Sequence, residues 1–149
     1  MTIDFFVPGI PRPAGSKKAF ALKSRGIYTG RVAVVDACKE SRDWKTRVSR
    51  EAATAFERSA LMEGPLQVSI TFFVSRPKGH FRTGKNADSI RDSAPKHPTT
   101  RPDVLKLARA VEDAITGVIW RDDSQIVDER IRKEYSDKPG VGIVIGELQ

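Results

Sequence analysis

The segment RPDVLKLARAVEDAITGVIWRDDSQIVD, residues 101–128, constrains this chain more than any other. Val104, Leu107, Ala108, Val111, Ala114 and Ile115 recur at three- and four-residue steps. They share one arc of a helix, and that arc must be buried against another element. Pro102 suits the first helical position. Thr100 and Asp103 resemble a capping box, with Asp in place of the usual Glu or Gln. Gly117 is expected to end the helix. Lys106, Arg109, Glu112, Asp113 and Thr116 fall on the other side. So does Leu105, an apolar residue where the pattern asks for a polar one.

After this helix, Val118–Ile119–Trp120 reads as a short buried strand and Arg121–Ser124 as a turn. Gln125–Tyr135 reads as a strand with alternating charge, and Pro139–Gly140 leads into a last strand, Val141–Ile145. Upstream, Thr2–Val7 is a short strand stopped by Pro8–Gly9. Phe20–Leu22 and Ile27–Val35 form a hairpin about Ser24–Arg25–Gly26, and the VAVVD run predicts burial. Asp36 is placed to cap a helix from about Ala37 to Leu61. Its stripe is Trp44, Val48, Ala52, Ala55 and Phe56. Arg42, Lys45 and Arg50 on its other side suit a solvated face or DNA steering. Leu66–Val74 (LQVSITFFV) is the central strand. The expected class is α+β, α/β only in a loose sense. It is a single domain over residues 1–149 with one mixed or antiparallel sheet and two main helices.

The chain has 149 residues, with Lys+Arg 26 against Asp+Glu 19, a net charge of +7. That balance favours a polyanionic partner, foremost nucleic acid. The loop GIPRPAGSKKAF, with Arg12, Lys17 and Lys18, is a candidate phosphate contact; a plain strand connection with solvated lysines fits equally. Residues 78–100 carry no periodicity but many bases, and read as a flexible basic loop or a linker. His80 and His97 lack the spaced partners of a zinc site. Cys38 is the one cysteine, so no internal disulfide forms. No apolar run approaches a membrane span, and no signal peptide is evident. A cytoplasmic protein without a membrane partner is the default expectation.

Carboxylates concentrated in a basic chain make chemical sense if a hard cation sits between them and phosphate. Mg²⁺ takes oxygen ligands. It acidifies a water and screens charge on a leaving oxygen. Asp103 and the Asp122–Asp123 pair are the candidates, and a strand folding back from the helix would bring them together. Each has a plain structural reading beside this one: Asp103 at a helix start, Asp122 and Asp123 in a turn. Arg109 is placed to stabilise phosphate charge, or else to pair with Asp113.

On these residues the sequence resembles the RusA family of Holliday junction resolvases. The motif carrying the likeness runs Pro-Asp-x-Asp-Asn/Lys-Leu, Lys/Arg-Ala, Asp-Ala-Leu-x-Gly, Asp-Asp-x-Gln-Val-Val. FFVPGIPRPAGSKKAF is similar to the family's opening strand and proline loop. The resemblance implies a Mg²⁺- or Mn²⁺-dependent endonuclease, acting as a homodimer on four-way DNA junctions in a bacterial or phage-infected cell. It implies Asp103 and Asp123 as the essential acids, Asp122 as a weaker metal neighbour and Arg109 as the catalytic cation. Arg12, Lys17, Lys18, Arg101 and Lys106 are then the expected DNA contacts. Leu105 departs from the motif, whose second aspartate belongs there. Three readings stay open: Glu112 or Asp128 substitutes, fewer carboxylates suffice, or the protein binds branched DNA without cutting it.

Overall fold

The computed structural model describes residues 1–149 save Ser16, Ala37 and Ser59, and not the side chains of Lys17, Val35 and Asp36. The expected Lys17 contact, the Asp36 cap, a helix start at Ala37 and the Ser16 half of the Gly15–Ser16 turn therefore lie outside the described residues.

Leu66–Val74 is indeed central. This strand (β4) alternates so that Leu66, Val68, Ile70 and Phe72 are buried. It pairs antiparallel with β6 (Gly140–Glu147) and parallel with β5 (Ile126–Tyr135). With β1 (Thr2–Pro8) on β6, the sheet order is β1-β6-β4-β5. Two helices, α1 (Lys39–Ala55) and α2 (Val104–Ile115), pack on the face that carries Val68, Ile70 and Phe72. A parallel β4–β5 pair needs a long crossover, and α2 lies in it. The strand β5 is an edge, and its charges (IVDERIRKEY) discourage pairing with another sheet. The class is α+β, as the patterns require.

Four local expectations need correction. The first helix ends at Ala55, not near Leu61, because its stripe ends at Phe56. That residue leaves the helical region (φ −102°, ψ 76°) and buries its ring. The helix α2 starts at Val104, with Asp103 as its N-cap residue and Pro102 outside it. Asp103 makes no side-chain capping bond, so the Thr100–Asp103 box does not form. Val118–Trp120 is a tight turn rather than a strand. There Gly117 N–H donates to Trp120 O (2.7 Å) and Val118 N–H to Ile115 O (2.8 Å), so the segment folds back on itself and makes isolated bridges from Trp120 to Met62 and Thr116 in place of a ladder. Ile119 and Trp120 are buried all the same.

The last correction concerns the hairpin, β2 (Lys17–Ser24) with β3 (Ile27–Asp36). Arg25 (φ 52°) and Gly26 (φ 80°) both take left-handed conformations, the geometry of a tight two-residue hairpin turn. The pair forms a sheet of its own, apart from the four-stranded one. The expected burial of VAVVD is therefore not met: Val32 and Val34 are 63% and 62% exposed.

Candidate active site

The turn holding Asp122 and Asp123 is built by Gln125. Its Oε1 accepts from Arg121 N–H (2.9 Å) and Asp122 N–H (3.0 Å), while Nε2 donates to Met62 O (3.0 Å). Asp122 is the cap of this 3-10 turn: Oδ1 accepts from Ser124 N–H at 2.8 Å. Hydrogen bonding from Ser124, its side chain first and then its backbone N–H, holds the Asp122 carboxyl below the ordinary value. Asp123 points the other way. Its Oδ1 accepts from Thr116 Oγ1–H and from Trp120 Nε1–H (2.8 Å), so the carboxylate is locked against the C-terminal end of α2.

The structure therefore does not bring Asp103 and Asp123 together within one chain. Asp103 caps the start of α2, and Asp123 touches Thr116, just past its end. Twelve residues of helix separate them, about 18 Å at the usual rise. The fold-back expected of residues 118–123 goes to the near end of the helix, because the 117–120 turn is too tight to travel its length.

A different acidic group forms instead. Paired residues on adjacent strands point to the same side, so Glu129, Ile131 and Lys133, opposite Val68, Ile70 and Phe72, face the helices. Leu105, Arg109, Glu112, Glu129 and Ile131 line one groove of about 300 Å³ between α2 and β5. Burial, a hydrogen bond with Glu129 and the charges of Glu129 and Asp123 push the Glu112 carboxyl up to about 8, against the pull of Arg109. Asp128 is on the opposite face, where it accepts from Gln67 Nε2–H at 2.7 Å. Of the two acids weighed as substitutes for Leu105, only Glu112 shares its groove. Among the described residues, no group of three or more His, Cys, Asp or Glu is placed to hold a metal ion.

Around Asp103 the surroundings are cationic. Lys106 Nζ is 3.9 Å from its carboxylate. Ala14 N–H donates to Lys106 O (2.9 Å), tying the proline loop and Arg12 to the first turn of α2. Lys133 Nζ donates to Thr100 O (2.7 Å) and Pro102 O (3.0 Å), fixing the segment that leads into Asp103 and carries Arg101. Arg109 does not pair with Asp113; Lys45 does, at 3.1 Å, joining α1 to α2. Lys18 is exposed on the hairpin. Sequence reading missed Glu129, Lys133, Thr116 and Trp120 as site residues. The alternation of β5 was the available signal for the first two.

Residues 78–100 carry two 3-10 turns and bonds of their own. Arg91 N–H donates to His80 O (2.8 Å) and Arg91 Nε–H to Phe81 O (2.8 Å), while Arg76 Nη1–H reaches Pro95 O (2.8 Å). No helix of the described residues is long and apolar enough to cross a membrane.

An α+β fold, a net charge of +7, a braced Asp-Asp turn and a helix–strand groove carrying Arg109, Glu112 and Glu129 are thus combined in one chain. The family described as endodeoxyribonuclease RusA matches residues 12–146, nearly the whole chain, and the protein belongs to it. It is also similar to a protein of Bacillus subtilis (strain 168) named "Uncharacterized protein YqaN". The two are 31% identical over 150 residues, covering 98% of this chain and 96% of that protein. Membership implies endodeoxyribonuclease activity of the Holliday junction resolvase type, on branched DNA.

Proposed function

We propose that this chain is a divalent-metal-dependent, structure-selective endonuclease that resolves four-way junctions by paired nicks. The observation that supports it best is the groove in which Arg109, Glu112 and Glu129 meet, within the field of Asp123. Its donors are all carboxylate oxygens, the set that suits Mg²⁺ or Mn²⁺. Glu112 and Glu129 lie close enough to raise the Glu112 carboxyl, at a place where a cation would relieve their repulsion. In this reading Glu112 and Glu129 would hold the ion, with Asp123 adding negative charge nearby. Bound there, it would supply an acidified water and screen the leaving oxygen.

The chain's own groups do the rest. Arg109 offers its guanidinium to the phosphate. Thr116 and Trp120 orient Asp123 by donating to one of its oxygens. Arg12, Arg101 and Lys106 hold the strand at the far end of α2, beside Asp103. Asp103 is proposed as catalytic on the family pattern, and Asp122 serves as a cap. Two copies act together, since two opposing strands must be cut. A second reading, binding without cutting, draws on Leu105, which is 71% exposed where the motif has an acid.

A labelled four-way junction with Mg²⁺ or Mn²⁺ tests both. The wild type is expected to nick it, EDTA to stop it, and Asp123→Asn or Glu112→Gln to slow it by about 10- to 100-fold, as loss of metal support does. Junction binding that persists with no nicking under any divalent ion would establish the second reading.

A further inference from the structure

A cavity of about 520 Å³ opens directly beside the segment that carries Asp103. Its floor is the end of β4 and β5 at Val74 and Tyr135, and one wall is Thr100–Pro102. Six prolines, drawn from separate segments, supply flat apolar sides. Arg12, Arg101 and Lys133 are its charged residues, and no carboxylate lines it. The neighbouring larger cavity shares Tyr135 and Lys133 but mixes its cations with Asp88, Glu134 and Asp137. Only the smaller chamber is uniformly attractive to an anion.

The combination is selective. Cations alone would read as a phosphate contact, and prolines alone as a packing defect. Apolar walls beside two guanidinium groups match a nucleotide, whose base stacks while its phosphate is paired. A chamber of this size takes a small-molecule-sized group, not a duplex. It also ends at Pro102, the residue before Asp103. We infer that this chamber receives an unpaired nucleotide of the branched DNA, turned out of the strand that runs past Asp103. Junctions are suited to this, because pairing and stacking are weakest at the crossover. Lys133 then has two duties: it braces Thr100 and Pro102, and it adds its charge to the chamber.

This rests on the proposed action on junctions only for the source of the nucleotide. The test therefore uses two probes. The first is a 5′-phosphorylated deoxydinucleotide titrated into ¹⁵N-labelled protein. Saturable amide shifts are expected at Val74, Thr100 and Tyr135. Arg101→Ala should weaken binding about tenfold through a lost phosphate contact, and Thr100→Trp should block the chamber. Shifts that map elsewhere, or affinity unchanged in both variants, overturn the proposal. The second probe is the intact four-way junction without metal. Junction binding without dinucleotide shifts overturns the chamber alone. Dinucleotide binding without junction binding overturns the junction source of the nucleotide.

Discussion

At the scale of single residues, Glu112 connects stability to the site. Burial raises its carboxyl first, then the hydrogen bond and charge of Glu129, then Asp123, reaching about 8 from an ordinary 4.5. Between those values the native state binds more protons than the unfolded one, so stability falls as pH rises. The contribution is full below about 4.5 and lost above about 8. Because Glu112 is only half-buried, solvent screens part of it. In EDTA, the thermal midpoint is expected to drop from pH 5 to pH 8.5, and Glu112→Gln to flatten that slope. A variant that keeps the full wild-type slope would show that Glu112 is not its source. Leu105 was legible as an oddity from the helical period alone. Glu129 was legible only in part: alternation along β5 puts it on the face of Ile131, and the pairing with β4 decides that this face meets the helices.

At the scale of elements, α2 and the β2–β3 hairpin contrast. The helix was readable because six apolar positions at helical spacing must be buried somewhere, and Ala110 joins them. The hairpin was readable as strands, yet its burial was misjudged. Apolar alternation does not say which surface covers it. Phe20 is 48% exposed on the face opposite Val32 and Val34, so both faces carry uncovered apolar groups, and a two-stranded sheet alone is marginal in water. We propose the hairpin as the meeting place of two copies. Replacing residues 18–35 with a short Gly-Ser linker should keep cooperative melting, since the buried core lies outside the hairpin. The shortened chain is expected to elute as a monomer by light scattering and the full chain as a dimer. A shortened chain that still dimerises would place the contact elsewhere.

At the scale of the molecule, a net charge of +7 drives association with DNA by releasing counterions. Junction affinity should fall steeply with salt, and Arg101→Ala should reduce the log–log slope by about 1. An unchanged slope would place Arg101 off the phosphate backbone. What the sequence determined by itself is whatever contiguous residues encode: the helical arc of α2, the Asp-Asp turn, the α+β order of elements and the family motif. Tertiary structure decided which acids meet. The tight 117–120 turn sends Asp123 to the end of α2 and leaves Asp103 at its start. The parallel β4–β5 register turns Glu129 and Lys133 toward the helices and Asp128 away. A motif records spacing along the chain, whereas a site needs side chains to converge in space. Convergence depends on register and packing between segments far apart in sequence.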